Sequence, residues 1–369
     1  MLDRDLFPKR IGRKLGRRSL LSALGATAIG VSLEGCGKPV VRGPNGEEAK
    51  LNLYNWDTYI GKHSFEWFKD KTGVSVALTL FANNDELFSK LRAGNPGFDV
   101  IVPTNDFVTR MRIADMLTPI DKSKIPNFKN LQPAFQTAPF DPGRKYSIPY
   151  TWLALGVGYR KSKIDGVPNS WKWLFDSDRY KGRIAIFDEA DDLVRLAAKY
   201  LGHPGTNIPV SLLPTIEAMY IRQKKNIRVF HEDNGQDLLL AGDVDIVLEY
   251  NGDIAQVMAE DDDLAFVIPK EGSLLQSDCM CIPKGAPRID NAHRFINFML
   301  DAKVGADLSS TILYPTPNQA VLDLMPDSYR NNPAIFPPPD QMKNCEYSTF
   351  EGVERTRMFD ELLTRVRAA

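Results

Sequence analysis

Strand-like and helix-like patterns alternate along most of this chain, and they do so in two successive series. The first series predicts strands at residues 51–56, 74–81 and 98–103, with helices at 64–71 and 86–92. The nearly continuous apolar run at 98–103 is typical of a strand that is buried on both faces. Alternation of this kind predicts βαβ units and a mainly parallel sheet.

A second series of the same kind follows an extended stretch, residues 146–159, which we expect to carry the chain from one lobe to another. Its strands are predicted at 183–187, 227–230 and 244–248, with helices around them. A chain of 369 residues, 43% of them hydrophobic, is long enough for two packed lobes. We therefore expect an α/β protein of two lobes, with its site in the cleft between them.

The amino terminus has the pattern of an export signal. Seven Lys or Arg residues are followed by an apolar stretch at 20–33, which is too short to span a bilayer comfortably. The adjacent Arg17 and Arg18, with Ser19 after them, resemble a twin-arginine signal. We predict a signal peptide over residues 1–35.

A lipid attachment site is predicted directly after it. Leu33, Gly35 and Cys36 resemble a bacterial lipobox, in which the Cys becomes the lipidated first residue, although Glu34 is an unusual occupant. The alternative is a plain exported protein that is cut nearby. The prolines, glycines and glutamates that follow predict a flexible tether over residues 36–49.

Charge and missing motifs exclude several classes of function. The leader holds seven of the 46 basic and three of the 47 acidic residues, so the remainder has a net charge of −5, which gives no case for nucleic acid binding. None of the four His residues lies in a metal-binding pattern, and the chain has no Gly-x-Ser-x-Gly elbow, phosphate-binding glycine loop or Rossmann glycine pattern. We predict no catalytic residue, no metal and no cofactor.

The remaining cysteines are interpreted as small buried hydrophobes. Cys279, Cys281 and Cys345 are odd in number, so at least one thiol is expected to be free. Cys279 and Cys281 would share one face of a strand, with a separation near the upper limit for a disulfide.

Aromatic and acidic residues follow the first predicted strand. Trp56, Asp57 and Tyr59 would suit a cation, because a ring face attracts it and a carboxylate neutralises it. In open α/β sheets, ligands are contacted at the carboxyl ends of strands. The alternative is that Trp56 and Tyr59 only cap a core.

The same combination recurs along the chain. An organic polycation needs carboxylates for its ammonium groups and flat apolar faces for its methylenes. For any single acid the alternative is a helix N-cap or a solvated loop, and Asp188 fits the first of these well. Further candidates for the site are Asp106, Glu189, Asp192, Tyr250, Asp253, Asp278 and Tyr314.

Five motifs along the chain carry a resemblance to a known family. They are Leu53-Tyr54-Asn55-Trp56, Phe98-Asp99-Val100-Ile101-Val102-Pro103, Tyr146-Ser147-Ile148-Pro149-Tyr150, Ile268-Pro269-Lys270-Glu271-Gly272 and Tyr314-Pro315-Thr316-Pro317-Asn318. From about residue 50 to 368 the chain resembles bacterial spermidine/putrescine-binding proteins, in which such motifs stand in the same order. These proteins are the extracytoplasmic binding components of polyamine ABC transporters.

The resemblance implies a type II periplasmic-binding-protein fold, in which two α/β lobes are joined by crossing strands that act as a hinge. Carried over, lobe 1 would be residues 50–155 and 277–322, and lobe 2 would be residues 156–276 and 323–369. The ligand would lie in the cleft between the lobes.

The resemblance also implies roles for individual residues. Trp56 and Tyr59 would pack on the polyamine, and Glu189 with Asp192 would hold one amino group. Asp278 would grip an amine. Tyr250 stands where the family usually has Trp, and Tyr314 matches the Tyr of the Tyr-Pro-Thr-Pro motif.

Four residues, at three places in the chain, depart from the family. Gln276 replaces an aromatic residue that stacks on the ligand chain, Thr104 and Asp106 stand where relatives have small hydroxyl or Tyr residues, and Ser348 matches a Gln contact. These changes would make the cleft more polar. They suggest a shorter diamine, a guanidinium compound or a ligand other than a polyamine.

The leading hypothesis is a monomeric, non-enzymatic protein that captures a small cationic amine in the periplasm, or on the outer face of the membrane, for a permease in the inner membrane. One alternative is a receptor of the same fold for another small ligand, which would feed a sensor. A remote alternative is an exported enzyme that uses the cleft carboxylates as acid and base.

Overall fold

The computed structural model describes residues 41–43, 45–232 and 234–369. The predicted signal peptide over residues 1–35 and the predicted lipidation site at Cys36 lie outside the described residues. Within them, the chain forms two β-sheets, each with helices packed against it.

The first sheet has the strand order β2-β1-β3-β12-β4, with β5 beside β12. Its strands are β1 (Lys50–Asn55), β2 (Ser75–Leu80), β3 (Val100–Ile101), β4 (Leu117–Thr118), β5 (Ser147–Pro149) and β12 (Cys279–Pro283). The helices in the same stretches of chain are α1 (Ser64–Thr72), α2 (Asn84–Arg92), α3 (Asn105–Ile113), α9 (Ile289–Met299), α10 (Ala302–Ile312) and α11 (Gln319–Leu322).

The second sheet has the order β13-β11-β6-β9-β7-β8, with β10 beside β6. Its strands are β6 (Leu153–Arg160), β7 (Ile184–Phe187), β8 (Ile227–His231), β9 (Ile246–Tyr250), β10 (Leu264–Val267), β11 (Leu274–Gln276) and β13 (Glu346–Tyr347). The remaining helices are α4 (Lys172–Phe175), α5 (Ala190–Tyr200), α6 (Leu213–Lys224), α7 (Gly235–Leu240), α8 (Asn251–Met258), α12 (Asp327–Arg330), α13 (Pro339–Met342) and α14 (Val353–Ala368).

The expectation of mainly parallel sheets is wrong, because both sheets are mixed. Strands β1, β2 and β3 pair in parallel, as do β7, β8 and β9, and these are the βαβ units that the alternation predicted. Strand β12 runs antiparallel to β3, and β6 runs antiparallel to β9. Both antiparallel strands are reached by chain that arrives from the other sheet, so their direction is not set by a local βαβ crossover.

Strand β1 shows how the first sheet is covered on both faces. Alternate residues of a strand point to opposite faces. Leu51 and Leu53 accordingly enter one apolar cluster, and Tyr54 enters another, where its ring stacks on Phe98 with 4.3 Å between centroids. Cys279 and Cys281 are buried in the same cluster as Tyr54, and together with Cys345 they are free thiols.

Two segments of the chain cross from one sheet to the other, and they lie side by side. One links β5 to β6 and the other links β11 to β12. The amide of Tyr150 donates to the carbonyl of Asp278 at 2.8 Å, and the hydroxyl of Ser277 donates to the carbonyl of Thr151 at 3.1 Å. Because Leu153 already pairs in the second sheet, the chain enters that sheet slightly before the expected limit at residue 155.

The described part of the predicted tether contacts helix α9. The carboxylate of Glu47 accepts hydrogen bonds from the amides of Asp290 and Asn291, and Glu48 forms an ion pair with Arg288 at 2.6 Å. An acid at the start of a helix satisfies unpaired amides there. The flexible tether over residues 36–49 remains a prediction, and Glu47 and Glu48 are the residues near its end that make these contacts.

Candidate functional site

A cavity of about 500 Å³ lies where chain segments from both sheets meet. Residues that follow the carboxyl ends of β1, β3, β7 and β9 line it, which is where ligands bind in open α/β sheets. All thirteen residues singled out from the sequence line this cavity, namely Trp56, Asp57, Tyr59, Thr104, Asp106, Glu189, Asp192, Tyr250, Asp253, Gln276, Asp278, Tyr314 and Ser348.

The cavity wall is strongly acidic. Arg110 is the only Lys or Arg among the described residues that line it, against eleven Asp or Glu side chains. The acids are Asp57, Asp85, Asp106, Glu189, Asp191, Asp192, Glu232, Asp237, Asp253, Asp278 and Asp360. Such a wall favours positively charged ligands and disfavours anions.

An aromatic corner surrounds Asp278. The hydroxyl of Tyr59 donates to Oδ2 of Asp278 at 2.9 Å and is also hydrogen bonded to Thr151. The Tyr59 ring packs edge-on against Tyr150 and Tyr314, with centroids 5.5 and 5.3 Å apart. Burial, and then the charge of Asp278, raise the pKa of Tyr59 well above its usual value, so the phenol remains a donor. The corner offers apolar faces for methylenes and a carboxylate for an ammonium group.

Residues of helix α8, which follows strand β9 of the second sheet, hold Tyr314 in this corner. Its hydroxyl donates to Oδ2 of Asp253 at 2.6 Å. Its ring lies against Gly252, where an added Cβ would overlap the ring atoms. The close approach explains why glycine stands two positions after Tyr250, in the first turn of α8.

Trp56 has a packing role as well as a place on the cavity wall. It lines the cavity and also packs against two apolar clusters. Its indole N–H donates to the carbonyl of Val102 at 2.9 Å, and its ring leans on Phe81 with 4.5 Å between centroids. Asp57 next to it is exposed, and its Oδ1 accepts the amide of Thr58.

Three acids stand at the start of α5. Asp191 forms an ion pair with the buried Arg195, whereas Glu189 opens into the cavity. Solvent reaches the Glu189 side chain through the cavity, but the surrounding protein removes part of its hydration. This desolvation, and then the charges of Asp85 and Asp106, raise the pKa of Glu189 to about 7.

Asp192, Gln276 and Tyr250 form a buried polar triad on the cavity wall. The amide nitrogen of Gln276 donates to both carboxylate oxygens of Asp192 at 3.2 Å, and the hydroxyl of Tyr250 donates to Oε1 of Gln276 at 3.1 Å. Asp192 and Gln276 are each only 6% exposed. Desolvation, followed by the charges of Asp191 and Glu189, raises the pKa of Asp192 well above its usual value.

Asp106 faces these acids from the first sheet. It lies in the first turn of α3, and its Oδ1 accepts a hydrogen bond from the hydroxyl of Thr104 at 2.5 Å. Desolvation is the main cause of its raised pKa, Thr104 opposes the shift, and the charge of Asp191 adds to it.

Ser348 reaches the cavity through a contact that the sequence reasoning missed. The side-chain amide of Asn105 donates to the carbonyl of Ser348 at 2.6 Å and accepts the backbone amide of Ser277 at 2.9 Å. Asn105 is fully buried. It therefore joins α3, the crossing segment and the carboxyl-terminal segment.

Other lining residues were also missed. Arg110 is stacked on Phe88, 4.1 Å from the ring centroid, and pairs with Asp85 at 3.0 Å. It stands four residues after Asp106 in α3, and this spacing, which puts both on one helix face, is a signal that could have found it. Further missed lining residues are Phe187, Gln236, Gln256 and Phe350.

The described residues show neither a metal-binding cluster nor a membrane-spanning helix. Nowhere in this part of the chain do three or more His, Cys, Asp or Glu side chains form a group that could hold a metal ion. No helix of the described part is long and apolar enough to cross a membrane.

Comparison with known proteins gives consistent matches over the chain. A model of the family described as bacterial extracellular solute-binding protein matches residues 64–337. The spermidine/putrescine-binding periplasmic protein of Escherichia coli (strain K12) is 31% identical over 356 residues, which cover 95% of this chain and 98% of that protein. The putrescine-binding periplasmic protein PotF of the same strain is 30% identical over 313 residues, covering 80% of this chain and 85% of PotF.

A solved structure gives the same result. The putative spermidine/putrescine ABC transporter from Listeria monocytogenes superposes with a TM-score of 0.82 at 31% identity, covering 87% of this chain and 99% of that one. The matches confirm the resemblance that five motifs predicted, and they confirm the two-lobed α/β fold class.

Proposed function

We propose, from the premise that this chain belongs to the family of bacterial extracellular solute-binding proteins, that it captures a polyamine outside the cytoplasmic membrane and delivers it to an ABC permease. The curated relatives include proteins named for binding spermidine and putrescine. The proposal transfers that ligand class to this chain.

The observation that carries the proposal is the composition of the cavity wall. Eleven carboxylates and one arginine surround a space that also has Trp56, Tyr59, Tyr250 and Tyr314 on its wall. An ammonium group loses its hydration when it is enclosed, so it binds only where carboxylates replace the lost water. Aromatic faces add about 0.5–2 kcal/mol for each cation placed over them.

The cavity residues suggest two ends for a dication. Asp278, held by Tyr59, would take one ammonium group beside the aromatic corner. Glu189 and Asp106 would take the other near the start of α5. Each charge-assisted hydrogen bond contributes about 1.5–3 kcal/mol. In this proposal Asp192 acts on the ligand indirectly, through its hydrogen bonds with Gln276. The methylene chain of the ligand lies between the aromatic rings.

Capture needs no chemical step. The two lobes, proposed as residues 50–155 with 277–322 and residues 156–276 with 323–369, close over the ligand about the crossing segments. Closure buries the ammonium groups among the carboxylates and presents the closed form to the permease. We further propose that the protein is monomeric, that it is not an enzyme, and that Cys36 anchors it to the membrane surface.

The decisive experiment is titration calorimetry of the chain without residues 1–35 against putrescine, spermidine, agmatine and several amino acids. We expect tight one-to-one binding of at least one amine and no heat with anionic or neutral amino acids. Tight binding of a neutral or anionic compound, with none of any amine, would contradict the proposal.

A second candidate ligand class follows from two observations. The side-chain amide of Gln276 donates to Asp192, and Asp106 adds a further carboxylate to the cavity wall. Both favour a ligand with more hydrogen-bond donors at one end, such as a guanidinium compound. Agmatine binding more tightly than putrescine in the same titration would select this candidate.

A further inference from the structure

Carboxylates from helices of both sheets line the same cavity, among them Asp85, Asp106, Glu189 and Asp192. Glu189 and Asp192 come from the start of α5, Asp106 comes from α3, and Asp85 comes from α2. Glu189 lies in the fields of Asp85 and Asp106, while Asp192 lies in the fields of Glu189 and Asp106. Like charges enclosed together cannot all be ionised without a neutralising partner.

The cations around this group are already engaged. Arg195 donates to Asp191 and Glu351, Arg110 pairs with Asp85, and Arg367 pairs with Asp188. These arginines therefore offer Asp106, Glu189 and Asp192 only a partial positive field. The neighbouring polar side chains include Thr104, which donates to Asp106, and Gln276 and Tyr250, which both donate to Asp192.

We propose that the group Asp106, Glu189 and Asp192 exchanges a proton for the ligand, so that an ammonium ion entering the cavity displaces a proton held by these carboxylates. This inference rests on the proposed function and adds regulation to the same site. In the exchange, an O–H bond of one carboxylic acid breaks, the proton leaves to solvent, and the resulting carboxylate accepts a hydrogen bond from the incoming ammonium group.

The direction of the pH effect follows from linkage. The pKa of Glu189 in the ligand-free protein is raised to about 7, and a bound cation lowers it. Binding therefore releases a proton when the pH lies below the pKa of Glu189, and it releases none when the pH lies well above that pKa. The dissociation constant for putrescine is expected to rise about tenfold from pH 8 to pH 6 for one coupled proton. Putrescine stays fully protonated in this range, because alkylammonium groups lose their proton only near pH 10.

The test is calorimetric titration with putrescine and with spermidine at pH 6.5 in three buffers of different ionisation enthalpy. The dependence of the measured heat on the buffer counts the protons released. We expect release of more than half a proton for each ligand bound, and almost none at pH 8.5. Glu189→Gln should lose at least half of the release at pH 6.5, while Glu260→Gln, an exposed acid outside the cavity, should keep it.

The outcomes separate this inference from the proposed function. Amine binding with heats that do not depend on the buffer would overturn proton exchange and leave amine capture standing. Unchanged proton release in Glu189→Gln, Asp106→Asn and Asp192→Asn would also overturn it, because the proton would come from elsewhere. No binding of either amine would overturn the proposed function and, with it, this inference.

Discussion

The hydroxyl of Tyr59 donates a hydrogen bond to the carboxylate of Asp278, although the two residues lie 219 positions apart in the chain. Tyr59 follows the first strand, and Asp278 lies in the second crossing between the sheets. The bond connects the aromatic wall of the cavity to this crossing segment. An ammonium group that binds Asp278 would therefore contact the segment about which we propose that the lobes close.

Replacing Asp278 with Ala should weaken amine binding strongly while the fold survives. The carboxylate is expected to make one or two charge-assisted hydrogen bonds with the ligand, each contributing about 1.5–3 kcal/mol, so affinity should fall at least tenfold to a hundredfold. Calorimetry measures the affinity, and circular dichroism checks the fold. Tyr59→Phe, which keeps the carboxylate, should lose much less. Wild-type affinity in Asp278→Ala would contradict the site assignment.

Replacing Gln276 with Leu should destabilise the protein by about 1–3 kcal/mol, because the buried carboxylate of Asp192 loses its two amide contacts. An ionised carboxylate needs those donors more than a protonated one does, so the loss should grow as pH rises. Urea unfolding between pH 5 and pH 8 measures it. Gln256→Leu is the matched control, since its amide donates to the carbonyl of Ile312. Equal pH dependence in both variants would argue against the triad.

Replacing Glu189 with Gln should stabilise the ligand-free protein at high pH only. The folded state raises the pKa of Glu189 from 4.5 to about 7, so this group favours folding below pH 4.5, and the contribution is lost as pH rises towards 7. Water in the cleft screens part of the effect, which leaves about 1 kcal/mol, or roughly 2–4 °C in melting temperature. Melting curves at pH 4.5 and pH 8 check this. A gain of equal size at both values would show that the charge is not the cause.

Replacing Gly252 with Ala should weaken both folding and amine binding. The added methyl group overlaps the ring of Tyr314, and overpacking of this kind costs about 1–3 kcal/mol, which exceeds the roughly 1 kcal/mol that Ala contributes to a helix. Thermal unfolding measures the change. In a Tyr314→Leu background the same substitution should be neutral or stabilising, because the ring is gone. Equal destabilisation in both backgrounds would exclude the ring as the cause.

The sequence was most informative where local pattern and site chemistry coincide. Trp56, Asp106 and Glu189 were found because each follows a strand that its apolar run identifies, and the ends of neighbouring parallel strands meet. Their roles in ligand binding remain predictions. Arg110 and Asn105 were missed because their importance depends on partners far away in the chain, Phe88 and Ser348 among them.

The sequence by itself therefore determined the two α/β series, the family and part of the set of residues that line the cavity. These depend on periodicity, on strand ends and on motifs, all of which are local properties. Only the tertiary structure decided that the sheets are mixed, that Gln276 is bonded to Asp192, and that acids from α2, α3 and α5 line the same cavity. The physical reason is that strand direction, hydrogen-bond partners and electrostatic fields depend on which distant segments pack together, and no local pattern records that choice.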